Sequence, residues 1–170
     1  RLAILATHKY RVVLTRVGDI NVDLDHRETV ANTARPIAFI SFHAGNLGAT
    51  TPRAVVYSYR SPAPPSEADS ASPKPLFLPW AKVFETHLDQ SRQLALAVQQ
   101  KLGQVPGMAA GPPAEAPIRV LRSINAPAVA IEIGSLTEDA DSGAVANPSF
   151  QQQIAAAVAA GLEAFRGGTT

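Results

Sequence analysis

The sequence predicts an α/β fold: a layered, twisted and mostly parallel sheet flanked by helices. Three observations carry that expectation. Short, almost continuously apolar runs at 36–43, 53–59 and 128–133 have the length and composition of strands buried on both faces. Segments whose apolar residues recur at helical spacing alternate with them, as in layered α/β domains. The 170 residues contain no internal repeat, and that length suits one domain with its own core and is too short to expect two. Residues 1–170 are therefore expected to form a single domain.

Taken in order, residues 1–10 read as the end of a helix, because Leu2 and Leu5 sit three apart with no cap before them. The β-branched run 11–16 follows, and Gly18-Asp19 supplies a turn. Leu24, Arg27, Val30, Ala31 and Ala34 then recur at helical spacing, Asp23 and Asp25 suit a helix N-terminus, and Pro36 ends the segment. A helix over 22–35 is predicted. The apolar run 36–43 is a strand ending in the turn Ala44-Gly45-Asn46, and 53–59 is a second. Residues 61–75 are Pro, Ser, Ala and Glu-rich, too poor in large apolar groups to offset the entropy of ordering, and are expected to be a mobile surface loop.

Trp80, Phe84, Leu88, Ser91, Leu94, Ala95, Val98 and Leu102 fall along one helical face, with Gly103 placed as a C-terminal cap. Gly- and Pro-rich sequence leads to a short strand candidate at 118–122 and a further strand at 128–133. In the last helix Asn147 is the cap, Pro148 suits the first position, and Phe150, Ile154, Val158, Leu162 and Phe165 form one stripe.

Composition removes several function classes. Fifteen basic residues against fourteen acidic ones, a net charge of +1, give no electrostatic case for nucleic acid or an anionic membrane surface. Without cysteine there is no disulfide, thiolate zinc site or cysteine nucleophile, so a metal must be held by His, Asp or Glu. No apolar run approaches the roughly 18 residues of a membrane span. A chain starting at Arg1 with no signal-like segment reads as a processed or excised piece. The serine elbow, H-E-x-x-H, phosphate-loop and G-x-G-x-x-G motifs are all missing, which also disfavours a Ser–His hydrolase.

Two polar residues stand where polarity is costly. His43 closes a buried apolar run at the carboxyl end of a strand, where ligands of open α/β sheets gather. It is either a histidine hydrogen-bonded near the core or a zinc ligand. Glu132 lies inside Val129-Ala-Ile-Glu-Ile133, where an unpaired carboxylate faces a penalty of several kcal/mol. It is either half of a buried ion pair, with Arg122 or Arg119, or a general base whose pKa desolvation raises toward the working pH. His87 lies beside an apolar stripe and reads as structural; His26 and His8 read as surface residues.

The same residues carry a resemblance. Val12-Val-Leu-Thr-Arg16, Leu24-Asp-His-Arg27 with Ala31-Asn32, Phe39-Ile-Ser-Phe-His43-Ala, Val120-Leu-Arg122, and Pro127-Ala-Val-Ala-Ile-Glu132-Ile-Gly are similar, in order and spacing, to the successive motifs of the zinc-dependent N-acetylmuramoyl-L-alanine amidases of the amidase 3 family. The ending Ala146-Asn-Pro-Ser-Phe-Gln-Gln-Gln-Ile154 resembles that family's closing helix.

The resemblance implies a zinc ion held by two histidines and a glutamate, with a separate late-strand glutamate as base. His43 matches the second zinc histidine and Glu132 the base. Nothing in residues 1–22 matches the family's first strand, first zinc histidine or zinc glutamate. The expected fold is thus amidase 3-like without its first strand, and residues 1–170 alone are expected to bind zinc weakly and to be inactive, unlike the full-length protein. The implied activity is hydrolysis of the amide between N-acetylmuramic acid and L-alanine of the stem peptide. Peptidoglycan is the implied partner, joined by an activator protein, in a periplasmic or extracellular setting, with the 61–75 loop gating the cleft. The competing expectation is a peptidoglycan-binding or regulatory module that keeps the fold without the metal. On the family reading 37–43 and 129–133 share one sheet, and His43 and Glu132 open into a common cleft within about 10 Å.

Overall fold

A computed structural model of the chain describes residues 9–45, 54–61, 80–109, 111–135 and 146–168. The predicted loop at 61–75 and the predicted helix end at 1–10 fall almost wholly outside these residues.

Helix α1 spans Leu24–Ala34 and starts where the acidic cluster places it: the Asp23 carboxylate accepts from the His26 amide at 2.7 Å. It stops at Arg35, which takes a left-handed conformation with φ 48° just before Pro36. Strands β1 (Phe39–Gly45) and β2 (Ala54–Tyr59) follow. Helix α2 covers Leu88–Leu102, β3 is the short Ala114–Ala116, β4 is Ala128–Ser135, and α3 is Pro148–Gly167. The Asn147 side chain caps α3 by accepting from the amides of Ser149 and Phe150, with Pro148 at its first position.

The four strands form one sheet in the order β1-β4-β2-β3. β1 pairs with β4 and β2 with β3 in parallel, while β2 runs antiparallel to β4. Alternation along the strands gives the sheet two faces. On one, Val56, Val129 and Ile131 pack against Leu94, Val98 and Leu102 of α2 and Ile154 and Val158 of α3. On the other, Phe39, Tyr59, Ala128 and Ala130 meet Ala31 of α1, Phe84, and Val120 to Ile124. Helices α2 and α3 cross very closely at Gly161, where an added Cβ would lie 2.7 Å from the Val98 Cα.

Three expectations are corrected. The segment 80–102 is not one α-helix: Trp80–His87 winds as a 3-10 helix before α2 begins. At the junction the His87 ring lies 3.1 Å from Gln90 Oε1 and 3.0 Å from Asn125 Oδ1, tying this turn to the loop before β4. The run at 118–122 is no strand but a 3-10 turn over Arg119–Leu121. Its amides bond locally, Leu121 N–H to the Ile118 carbonyl and Arg122 N–H to the Arg119 carbonyl, each at 3.1 Å, so the backbone closes a turn instead of pairing with a strand. The strand is instead the apolar-poor β3, recruited by backbone pairing with Tyr57–Tyr59.

The third correction concerns 11–16, which forms no strand; Val12, Val13 and Leu14 are exposed. A β-branched run needs a neighbouring strand to complete its hydrogen bonds, and here a groove of about 1090 Å³ lies between it and β1, the edge strand among the described residues. The segment is anchored at its start, where the Tyr10 hydroxyl donates to Glu163 Oε1 at 2.6 Å and Lys9 pairs with Glu163 Oε2 at 3.1 Å.

Candidate functional site

The parallel register of β1 and β4 builds the site. It runs Phe39 opposite Ala128, Ser41 opposite Ala130 and His43 opposite Glu132. Register partners on adjacent strands lie about 5 Å apart and point to the same face, so His43 and Glu132 are side by side near the carboxyl ends of their strands. Val55 of β2 is the register partner of Glu132 on its other side. Toward the amino ends of the strands this face is covered by Ala31, Val120 and Leu121; past Ala130 the cover supplied by the described residues ends, and both His43 and Glu132 are half-buried.

That partial exposure corrects the reading of Glu132 as enclosed. Among the described residues no side chain hydrogen-bonds or ion-pairs with it, so the expected link to Arg122 or Arg119 is not formed. Those two arginines precede β4, at the opposite end of the strand, and act on Glu28 of α1. Burial pushes the Glu28 carboxyl above its ordinary value, while a hydrogen bond with Ser123 and the charges of Arg119 and Arg122 hold it down.

His43 Nε2 lies 2.9 Å from Ser41 Oγ, two residues earlier on the same strand. His43 also lines the groove along the β1 edge with Phe42, Ala44 and Ile133, whereas Glu132 does not line it. His87 is a structural histidine, as its two side-chain contacts show; His26 sits exposed on α1, and His8 lies outside the described residues. Sequence reasoning passed over Ser41, although residues i and i+2 of a strand share a face and the spacing to His43 was visible.

An imidazole beside a carboxylate is a donor set of the type zinc takes. Among the described residues, however, no group of three His, Asp or Glu side chains converges to hold a metal. By itself the pair offers one imidazole and one carboxylate, not a closed metal site.

The family model for N-acetylmuramoyl-L-alanine amidases, amidase 3, matches residues 2–164 of the chain. The chain belongs to that family. Its function class is accordingly that of an N-acetylmuramoyl-L-alanine amidase, in a family that is generally zinc-dependent. Solved amidase structures share the fold. The N-acetylmuramoyl-L-alanine amidase of Clostridium difficile 630 superposes with a TM-score of 0.71 at 23% identity, over 99% of this chain and 80% of that one. The amidase AmiC2 of Nostoc punctiforme gives 0.72 at 25% identity, over 96% and 77%. The CwlD amidase of Clostridioides difficile, solved in complex with the GerS lipoprotein, gives 0.73 at 18% identity, over 98% and 81%. No curated protein matches the chain by sequence. For this amidase the described residues thus place two of the resemblance's site residues on neighbouring strands. No helix among them is long and apolar enough to cross a membrane.

Proposed function

We propose that this amidase hydrolyses the amide between the lactyl group of N-acetylmuramic acid and L-alanine of the stem peptide, with His43 as a zinc ligand and Glu132 as the general base. The observation that supports it is the β1–β4 register, which sets His43 directly opposite Glu132 on one face. Zinc, when bound, supplies a Lewis acid for the scissile carbonyl. Glu132 takes a proton from the attacking water and passes it to the departing amine of L-alanine, a task for a carboxylate with solvent access and, among the described residues, no paired cation. Val55, its register neighbour on β2, offers an apolar wall that limits how the carboxylate turns.

The substrate puts the site outside the cytoplasm, in the periplasm or beyond it, and makes peptidoglycan the macromolecular partner. A protein activator fits the same setting, since one structural relative was solved with a lipoprotein bound. Residues 1–170 are the part of one catalytic domain that contributes His43 and Glu132 to this chemistry.

The test is the product of digestion. Full-length, zinc-loaded protein incubated with purified peptidoglycan releases stem peptides that begin with a free L-alanine amine, leaving glycan strands with intact N-acetylmuramic acid. Peptidoglycan that is bound but not cut would favour the competing module without the metal. Cleavage at a glycosidic or a cross-bridge bond would refute the proposed substrate bond.

A further inference from the structure

We propose that a further β-strand, belonging to this protein's own chain outside residues 1–170, inserts between β1 and residues 11–16 and pairs with both. Neither zinc nor substrate enters its support, so it stands apart from the proposed function.

The backbone of β1 has an unmet side. In a strand the N–H and C=O of one residue point to the same side, and those of the next residue to the other. Phe39 N donates to Pro127 O at 2.8 Å, toward β4, and the same register continues through Ser41. The amides and carbonyls of Ile40 and Phe42 therefore point away from β4, into the groove that both residues line. Among the described residues these groups have no partner. Ile40 is half-buried, and backbone groups shielded from water are almost always paired.

Across the groove, residues 11–15 make no backbone hydrogen bond among the described residues, and Val12, Val13 and Leu14 are exposed. Two strand-like runs thus face each other with open edges. They are held apart: Lys9 and Tyr10 tie the start of the run to Glu163 of α3, and Arg11 Nη2 donates to Ala34 O of α1 at 3.2 Å. The other edge of the sheet is different. β3 is three residues long and carries Glu115 paired with Arg92, a short, charged edge that discourages further pairing. β1 is seven residues long, and 39–44 contains no Lys, Arg, Asp, Glu or Pro to blunt it.

The lining of the groove selects the occupant. Ala31 of α1 lines it from one face of the sheet and Ile154 of α3 from the other. A strand seated there is covered on both faces, as inner strands of α/β sheets are, which calls for a near-continuous apolar run of about five to six residues. A separate peptide or a second copy would have to expose such a run to water whenever it was unbound; a segment of the same chain stays in place. The solved amidases of this fold contain chain from which such a strand could come, since this chain covers 80%, 77% and 81% of the three.

The test is amide hydrogen exchange in ¹⁵N-labelled full-length protein, with Phe39 and Ser41, already paired with β4, as the internal reference. Ile40 and Phe42 should exchange at least about 10³-fold more slowly than an unstructured peptide, as inner-strand amides do. Their protection should not change with protein concentration. Cross-strand proton contacts should join Ile40 and Phe42 to one segment outside residues 1–170, and the same segment to Val12–Leu14. Fast exchange at Ile40 and Phe42 beside slow exchange at Phe39 and Ser41 would overturn the proposal. So would protection that grows with concentration, which marks a second copy, or contacts that run directly from β1 to Val12–Leu14, which mark closure of the groove without an inserted strand. None of these readouts involves catalysis, so failure here leaves the roles proposed for His43 and Glu132 to their own test.

Discussion

Replacing Gln99 by Met should cost this fold about as much as any single change outside the site. β2 is paired on one side with β4, but on the other side β3 reaches only Tyr57–Tyr59. The amino half of β2 is closed there by a side chain: Val56 N donates to Gln99 Oε1 at 2.8 Å, and Gln99 Nε2 donates to Ala54 O at 3.0 Å. Gln99 is 4% exposed, so water cannot take over these bonds. Met is close to Gln in length and volume but offers neither an amide N–H nor a carbonyl, leaving both backbone groups buried and unpaired. Each such group costs about 1–3 kcal/mol, and burying a thioether in place of an amide returns on the order of 1 kcal/mol. The expected net loss is about 1–5 kcal/mol, a fall in Tm of roughly 2–20 °C for a chain of this size. Urea unfolding should show the midpoint lowered with the slope unchanged, and hydrogen exchange should quicken at the Val56 amide. A Gln99→Met protein within about 0.5 kcal/mol of wild type would show that Gln99 does not close the edge of β2.

Gly161→Ala should also destabilise, because the new Cβ would stand 2.7 Å from the Val98 Cα and 2.9 Å from its Cγ2. Overpacking of about 1–3 kcal/mol outweighs the helix-propensity gain of about 1 kcal/mol, and Val98→Ala should not rescue it, since the nearest atom is backbone; a double variant restored to wild-type stability by urea unfolding would contradict this. The Glu163 carboxyl is held below its ordinary value of 4.5, first by the Tyr10 hydroxyl and then by Lys9. A lowered folded-state pKa gives stability that is present above the unfolded value and lost as pH falls through the folded one, so Glu163→Gln should flatten the acid limb of the stability–pH curve, whereas an unchanged curve would show that the anchor contributes nothing.

Much of the fold was legible wherever one local rule acted alone. The caps at Asp23 and Asn147 and the stops at Arg35-Pro36 and Gly103 follow from residue chemistry, and β1 and β4 were plain from length and apolar content. What escaped reading depends on partners distant in sequence. β3 has almost no apolar signal and exists because β2 offers an unpaired edge. Val120 and Leu121 resemble a strand, but their backbone bonds are made locally within the turn. The run 11–16 has strand chemistry but no strand beside it among the described residues.

The site divides in the same way. His43 and Glu132 stood out as polar residues in apolar runs, and their shared face follows from strand period. The surroundings of Glu132 did not follow, because its exposure depends on where the cover supplied by α1 and residues 120–124 stops. The positions of Arg119 and Arg122 beside Glu28 depend likewise on how the turn before β4 packs against α1.

The central claim, that Glu132 moves the proton while His43 holds the metal, is tested most directly by comparing Glu132→Gln with His43→Ala in the zinc-loaded full-length protein. Metal content by elemental analysis is read beside the rate of stem-peptide release from purified peptidoglycan. Glu132→Gln should keep its zinc and lose about 10²- to 10⁴-fold in rate, whereas His43→Ala should lose zinc and activity together. A Glu132→Gln protein that releases stem peptide at near the wild-type rate, or a His43→Ala protein that retains full zinc, would contradict the account.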